Sequence, residues 1–375
     1  MNVAIVNRTN LKNYGSVLQV YALCEAVRKI GYDAEVIWQS GNMSKNYDLR
    51  LNKAVKIILK LLTHPTLLLS TIRMVLEVKD NVIDFEKARK FDEFVTKNFK
   101  QTFYSPGEIK DVAASDKYFK FLCGSDQIWC TTTLYPDPMM YLRFAPKIKR
   151  IAYAPSLGRN YIPDYNKATI KKYINDIPYI SVREDVGREL IKELTGRETI
   201  VVADPTLLMR SFEWKKLKID VPTPQKYLLC YFLDEPSNEV KSAIGKYAKD
   251  ADCDIVALGK LPAIGFPKYR IHRPVAGPGE FLSIVEKATM VVTDSYHGML
   301  FAINYHKKFW AVERAYSQFD QSSRQLTVLS RLGLKERYVR GKFDLTDIEI
   351  DYGEVQAKID AFVTSSMDYL RKSLE

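Results

Sequence analysis

MNVAIVNRTNLKNYGSVLQVYALCEAVRKIGYDAEVIW, residues 1–38, contains three segments with different hydrophobic periods. The run NVAIV at 2–6 is continuously apolar and predicts a buried strand, and DAEVIW at 33–38 predicts a second one. Between them, apolar residues recur at helical spacing, which predicts a helix from about Ser16 to Ile30. Gly31 follows, the residue type that commonly ends a helix. The stretch therefore predicts a strand–helix–strand unit with parallel strands.

The same alternation continues along the chain and breaks once. After a helical insertion at about 41–100, further strands are predicted at 118–124, 150–155, 179–183 and 199–204. Prolines then cluster near a polar segment at 205–226, which indicates an interdomain connection. The alternation restarts with strands predicted at 227–233, 253–259, 290–294 and 308–312. We predict an α/β fold of two Rossmann-like domains whose parallel sheets face a central cleft.

The length agrees with this division, because single cores usually stop growing near ~250–300 residues and the chain has 375. The predicted domains are 1–210, with the helical insertion, and 227–350, joined by a linker at 211–226. A C-terminal helix within 351–375 could cross back over both domains.

The charge balance is basic, with 56 Lys and Arg against 45 Asp and Glu and a net charge of +11. Such a surface suits anionic partners, including phosphorylated small molecules, acidic polysaccharide or an anionic membrane surface, or is simply a generally basic surface. We expect no nucleic-acid partner, because no zinc-finger, RNP or Lys/Arg-run signature is present. The five cysteines are scattered and form no CxxC motif or Cys/His cluster, so we expect no bound metal. The same pattern indicates that the protein resides in the reducing cytoplasm. The N-terminus lacks the features of a signal peptide, which agrees with a cytoplasmic location.

Residues 53–78 form the most apolar stretch, but Lys56, Lys60, His64 and Pro65 interrupt it. The pattern predicts two amphipathic helices hinged at His64-Pro65, not a membrane span. They could pack on the sheet or a partner chain. Alternatively, their lysines could face anionic headgroups in a peripheral contact with the inner face of the membrane.

Candidate site residues follow predicted strands, where open α/β sheets bind ligands. Four loops have this position, and their candidates are Asn13, Gly15 and Ser16; Ser125 and Asp126; Arg183; and Ser295, His297 and Gly298. For His297 and for Asp126, a role in the chemistry and a purely structural role are both compatible with the sequence. His297 could transfer protons beside an anion held at a helix N-terminus that Gly298 lets approach, or it could be satisfied by Asp294 or a carbonyl. Asp126 could activate an acceptor hydroxyl or cap a helix.

Arg183 presents a fork of donors that suits a carboxylate or phosphate, although an ion pair with Glu184 or Asp185 is the alternative. No GxGxxG or GxxxxGK[ST] loop is present, so dinucleotide or P-loop ATP binding has little support.

Seven short motifs occur in an order that resembles the polysaccharide pyruvyl transferase family. They are NxGSxLQxYAL at 13–23, GSDQIW at 124–129, YAPSLG at 153–158, SVRE at 181–184, DPTLL at 204–208, GPGEF at 277–281 and TDSYHG at 293–298. The resemblance implies a fold similar to GT-B glycosyltransferases, with acceptor and donor bound by the N- and C-terminal domains. It implies transfer of a pyruvyl group from phosphoenolpyruvate to a sugar of a cell-surface polysaccharide or its lipid-linked precursor, forming a ketal, without a further cofactor.

The resemblance also implies roles for single residues. His297 would be the acid/base, and Arg183 a donor ligand together with Ser295 and Gly298. Asn13, Gly15, Ser16 and Ser125 would contact the acceptor or shape its loop. Ser295 stands where characterised members have an arginine, so we expect another cation, Arg324, to replace it.

Two other functions fit the same fold. A glycosyltransferase would use a nucleotide sugar and draw on Glu280 and Arg273 in the second domain. A sugar-binding protein without catalysis is the other alternative.

Overall fold

The computed structural model describes residues 1–7, 12–39, 43–44, 47–65, 67, 84–262, 264–314, 322–341 and 344–375. The predicted strand–helix–strand opening is present in it. Strand β1 is Asn2–Val6, helix α1 is Tyr14–Lys29 and strand β2 is Asp33–Gln39. The two strands pair in parallel, with Asn2 opposite Asp33. Gly31 follows α1 at φ 101°, the left-handed region that glycine tolerates.

The described residues form two large parallel sheets, one of seven strands and one of six. The remaining strands of the first sheet are β5 (Gln101–Tyr104), β6 (Lys120–Cys123), β7 (Arg150–Ala152), β8 (Tyr179–Val182) and β9 (Ile200–Val201). Its strand order is β5-β2-β1-β6-β7-β8-β9. Two short antiparallel strands, β3 (Met43–Ser44) and β4 (Tyr47–Asp48), pair separately.

The second sheet consists of β10 (Tyr227–Phe232), β11 (Asp254–Gly259), β12 (Ile271–His272), β13 (Met290–Thr293), β14 (Lys308–Val312) and β15 (Tyr338–Val339). The strand order is β12-β11-β10-β13-β14-β15. The central strand β10 is buried along its whole length, as expected for a parallel sheet covered on both faces.

Helices connect and cover these strands. They are α2 (Leu49–Thr63), α3 (Phe85–Asn98), α4 (Glu108–Ala114), α5 (Asp164–Asn175), α6 (Asp185–Thr195), α7 (Asn238–Asp250), α8 (Pro278–Lys287), α9 (Tyr296–Asn304), α10 (Ser323–Leu332) and α11 (Tyr352–Leu374). The sequence predicted a helix N-terminus near Gly298, and the corresponding helix is α9. The helix begins two residues earlier because Ser295 caps it.

The two sheets share one hydrophobic core that crosses the domain interface. At the start of α1, the Tyr14 ring stacks on Phe281 of α8, with centroids 4.6 Å apart. The Tyr14 hydroxyl also donates to the Ala276 carbonyl at 3.0 Å. The C-terminal helix α11 touches both sides: Tyr352 donates to the Lys307 carbonyl at 2.5 Å, and Tyr369 donates to the Ala152 carbonyl at 3.0 Å. These contacts fix the two sheets relative to each other.

Helix α2 is the described part of the stretch that the sequence predicted as two amphipathic helices, and it ends before His64. The predicted second helix lies largely outside the described residues. The lysines of α2 point at the protein: Lys53 and Lys56 lie over the Tyr135 ring, and Lys60 lies over the Tyr165 ring. Lys53 and Lys56 remain exposed, and the exposed side chains of this helix also include Leu59 and Leu62, so contact of the lysines with headgroups stays a prediction.

None of the described helices is both long and apolar enough to traverse a bilayer. Peripheral contact with a membrane stays a prediction.

Candidate active site

A cleft of about 600 Å³ lies between the two sheets, at the carboxyl ends of their strands. The first domain lines it with residues that include Asn13, Ser16, Asp126 and Gln127. The second domain contributes residues that include Ser295, Tyr296, His297, Arg314 and Arg324. The cleft therefore brings together side chains that follow strands in both sheets, as the topology predicts.

His297 lies in the first turn of α9, directly after β13, and only 6% of it is exposed. Its Nε2 atom is 3.5 Å from Oδ2 of Asp204, which follows β9 in the other domain. Within the described residues this nitrogen has no hydrogen-bond partner. A buried imidazole nitrogen next to a carboxylate, on the wall of a cleft, can exchange a proton with a ligand.

Asp294 is not the partner of His297, although the sequence offered it as the alternative. Its two carboxylate oxygens accept from the backbone N–H groups of Leu233 and Asp234, at 2.7 and 2.9 Å. Burial raises the pKa of Asp294 to about 6. Asp294 therefore holds the loop after β10.

Gly15 makes room for the His297 ring. A Cβ atom at position 15 would lie 2.1 Å from both Cγ and Nδ1 of His297, far inside van der Waals contact. The sequence assigned Gly15 to the acceptor loop. The structure places it against the imidazole, where only a hydrogen atom fits.

Changing Gly15 to alanine is expected to displace the imidazole and lower kcat roughly 10- to 100-fold, because a misplacement near 1 Å has that effect on positioned groups. Steady-state kinetics with the melting temperature measured in parallel would check it. Gly107→Ala is the matched control, since nothing lies within 4 Å of its Cβ position. A Gly15→Ala protein with normal kcat would show that the ring position does not matter.

Asp204 and Arg183 form a buried ion pair below the cleft. Nη1 of Arg183 donates to Oδ2 of Asp204 at 2.6 Å, and both side chains are 0% exposed. Thr206 completes the site by donating to Oδ1 from its backbone N–H and its hydroxyl, at 3.0 and 2.8 Å. Burial opposes ionisation, but His297 and Arg183 outweigh it and hold the pKa of Asp204 well below its ordinary value. Asp204 is thus a carboxylate that can stabilise a positively charged imidazole.

The buried position of Arg183 corrects both sequence interpretations. Its guanidinium binds Asp204, and its Nη2 lies 3.5 Å from Asp126, so it does not reach into the cleft to hold a donor. Glu184 is engaged elsewhere, accepting from the Leu157 N–H at 2.8 Å and the Ser156 hydroxyl at 3.0 Å. Arg183 therefore pairs with two carboxylates, that of Asp126 on the cleft wall and that of Asp204 beneath it.

Asp126 follows β6 and lines the cleft. It accepts from the Ser16 hydroxyl at 2.6 Å, which ties the GSDQIW loop to the start of α1. Burial favours the neutral acid, but Arg183, His297 and Ser16 outweigh it and hold the pKa of Asp126 below its ordinary value. A carboxylate with so low a proton affinity suits a hydrogen-bond acceptor for a sugar hydroxyl better than a strong base.

Arg324 is a cation on the cleft wall, as the sequence predicted for the residue that replaces the family arginine. The Tyr296 ring lies between two guanidinium groups, 4.4 Å from that of Arg183 and 5.7 Å from that of Arg324. The Gln127 amide oxygen, oriented toward Arg324, accepts from its terminal nitrogens at 3.1 and 3.2 Å. Burial, and then the charge of Arg183, lower the pKa of Arg324 to about 10, so it stays charged at neutral pH.

The remaining predicted residues are two that line the cleft, one that lies beneath it and one glycine explained by packing. Asn13 and Ser295 line the cleft and cap helices, accepting from the N–H groups of Ser16 at 3.1 Å and Gly298 at 3.2 Å. Ser125 is fully buried and donates to the Ala154 carbonyl at 2.9 Å, so it underlies the cleft. A Cβ on Gly298 would lie 2.6 Å from the Thr293 hydroxyl, so packing explains this glycine, and the predicted ligand approach does not.

Sequence reasoning missed Asp204 as a member of this cluster. Asp204 ends the predicted strand TIVVAD, so the strand-end rule that selected the other candidates could have selected it. Tyr296 also follows a predicted strand, but the sequence assigned it no role.

Two parallel-sheet α/β domains with a cleft at their strand ends define the GT-B-like class of two-domain proteins, which confirms the predicted fold. Among the described residues, no group of His, Cys, Asp and Glu could hold a metal ion. The sequence model described as polysaccharide pyruvyl transferase matches residues 13–316, and the chain belongs to this family. A comparison with curated proteins gives no match.

Solved structures with a similar fold are distant. A putative UDP-N-acetylglucosamine 2-epimerase from Listeria monocytogenes is 11% identical, with 99% of this chain and 91% of that one covered and a TM-score of 0.48. The glycosyltransferase SnogD from Streptomyces nogalater is 10% identical, with 100% of this chain and 99% of that one covered and a TM-score of 0.46. Likenesses at this level carry no inference about chemistry.

Proposed function

We propose that this protein transfers the pyruvyl group of phosphoenolpyruvate to a sugar of a cell-surface polysaccharide or its lipid-linked precursor, forming a pyruvate ketal. Family membership supports the transferase class. The observation that carries the finer proposal is the position of His297, which lines the interdomain cleft while its buried Nε2 atom lies 3.5 Å from the ionised Asp204. The chemistry requires a group that can deliver and accept protons beside bound anions.

The donor binds against Arg324 and the N-terminus of α9. Phosphoenolpyruvate carries a carboxylate and a phosphate, and a guanidinium suits either of them through paired hydrogen bonds. The partial positive charge at the N-terminus of a helix also favours anions. Gln127 and Arg324 both line this cleft.

The first half of the reaction joins one acceptor hydroxyl to C2 of the donor. His297, as imidazolium, delivers a proton to C3, and the hydroxyl oxygen forms a bond with C2 as the double bond is consumed. The neutral imidazole then accepts the hydroxyl proton. The Asp204 carboxylate lies 3.5 Å from Nε2 and can pair with the ring while the ring carries the proton. General acid–base catalysis of this kind typically contributes ~10²–10⁴-fold.

In the second half, the bond between C2 and the phosphate oxygen breaks, and phosphate leaves with the electron pair. The oxocarbenium ion that remains is trapped by a second hydroxyl of the same sugar, which closes the ketal ring. Two hydroxyl protons are released in total; one balances the proton gained by C3 and the other leaves with phosphate. Asp126 accepts a hydrogen bond from an acceptor hydroxyl and so orients it.

One of the two residues that the glycosyltransferase alternative would use, Glu280, is not available to bind a nucleotide sugar. Glu280 accepts from the Gly277 N–H at 3.1 Å and pairs with Lys90 at 2.5 Å, so its carboxylate is used within the protein and is not open to a ribose.

Phosphoenolpyruvate is expected to raise the melting temperature of the protein, whereas UDP- and GDP-sugars at equal concentration are expected to raise it no more than UDP, GDP or inorganic pyrophosphate do. A ligand at ~100 times its Kd adds ~2.7 kcal/mol to the free energy of unfolding. Differential scanning measurements with and without candidate acceptor sugars would detect this, because a donor that binds only after the acceptor needs both. Inorganic phosphate is the control for general anion effects. Stabilisation by a nucleotide sugar alone would favour the glycosyltransferase.

A further inference from the structure

A second cleft, of about 640 Å³, adjoins the first one and is not used by the chemistry above. It lies at the carboxyl ends of β11 and β12, where parallel sheets bind ligands. The first domain contributes Lys12, Tyr14 and the start of α3. Lys12 lines both clefts, so a ligand that occupies one can extend into the other.

The charges around this cleft are unbalanced. Its described lining carries three cationic side chains, Lys12, Lys87 and Arg273, against one carboxylate, Asp84. Lys12 is neutralised by an ion pair with Asp92. Asp84 caps α3 by accepting from the backbone N–H of Lys87 at 2.9 Å. Lys87 and Arg273, from opposite domains, therefore give the cleft an excess of positive charge that Asp84 offsets only in part.

Neither Lys87 nor Arg273 has an ion pair among the described residues. Lys87 lies 4.9 Å from the centre of the Tyr14 ring, and Arg273 donates to the Leu261 carbonyl. Lys87 is also in the first turn of α3, where the helix dipole disfavours a positive charge. Burial lowers the pKa of Lys87, with Asp84 opposing the shift. A bound anion would relieve both unfavourable effects.

We propose that the second cleft binds a phosphate or diphosphate group attached to the acceptor, so that the attached sugar reaches past Lys12 into the cleft that holds His297. The link to the acceptor rests on the proposed function. The anion site itself rests on Lys87 and Arg273, two cations that have no ion pair among the described residues and that together exceed the charge of Asp84. A sugar joined to a nucleoside or to a lipid through a diphosphate presents the same anionic group to this site.

The test is calorimetric titration of the full chain with inorganic pyrophosphate, UDP and a short-chain alkyl diphosphate, each in the absence of phosphoenolpyruvate. Lys87→Met and Arg273→Gln are each expected to weaken pyrophosphate binding about tenfold or more, because each removes a charge-assisted contact. Lys97→Met, a change of an exposed lysine on the same helix, is the matched control and should bind like the wild type. Tighter binding of UDP than of the alkyl diphosphate would identify a nucleoside carrier, and the reverse a lipid carrier.

Phosphoenolpyruvate affinity separates this proposal from the proposed function. It should be unchanged in Lys87→Met and Arg273→Gln, and pyrophosphate affinity should be unchanged in His297→Asn. Equal pyrophosphate binding by the wild type and both variants, or loss of phosphoenolpyruvate binding in them, would overturn the second site. If diphosphate binding depends on both cations but phosphoenolpyruvate never binds, the anion site stands and the pyruvyl transferase proposal fails. Arg273 is exposed, so Arg273→Gln decides the matter if Lys87→Met does not fold.

Discussion

Replacing His297 with asparagine is expected to lower kcat by at least ~10² while phosphoenolpyruvate affinity changes little. Asparagine keeps part of the size and polarity of the ring but exchanges no proton near neutral pH. The fold should persist, because Arg183 and Thr206 remain as partners of the buried Asp204 carboxylate. Steady-state kinetics, donor titration and the melting temperature, measured on one preparation, would check all three expectations.

His306→Asn is the matched control for this variant. His306 is exposed, lies outside the lining of the catalytic cleft and has φ 54°, a backbone conformation that asparagine tolerates. Its kcat should equal that of the wild type. If His297→Asn kept a near-normal kcat and melted many degrees lower, His297 would be a structural residue, and the proton transfer would belong to another group.

Replacing Asp204 with asparagine is expected to reduce the free energy of unfolding by about 3–5 kcal/mol at neutral pH, because it leaves a buried guanidinium without its main partner. Arg183 would retain only the longer 3.5 Å contact with Asp126. Turnover should also fall, since the imidazolium of His297 loses the carboxylate that stabilises it. Urea unfolding and steady-state kinetics measure the two effects separately.

The pH dependence gives this variant a second, independent readout. The folded pKa of Asp204 is depressed, so its contribution to stability is fully present above the ordinary aspartate value of 3.8 and is lost as the pH falls below it. The stability difference between wild type and Asp204→Asn should therefore shrink as the pH falls from about 4 toward about 2. Asp368→Asn, which removes an exposed pair with Arg371, should change stability by less than about 1 kcal/mol. A constant difference across this range would show that the carboxylate charge is not what stabilises the fold.

The sequence predicted the elements better than the contacts between them. Strand and helix positions follow from apolar periods within a few residues, and those periods are local, so both domains and the opening strand–helix–strand unit could be recognised. The strand-end rule also selected Asp126 and His297, which the cleft does bring together, whereas Arg324 was proposed only as a substitute for the family arginine. It failed for Arg183, because a residue at a strand end can point into the cleft or beneath it, and the local pattern is the same in both cases.

The alternation of apolar segments by itself determined that this chain is a two-domain α/β protein, and the ordered motifs determined its family. The tertiary structure alone decided that His297 faces Asp204 instead of its neighbour Asp294, and that Gly15 leaves the space for the ring. The same holds for the cations of the second cleft, which come from different domains. Each of these pairs is far apart in the sequence. Their distances depend on how the two sheets pack across the shared core, and no local period records that packing.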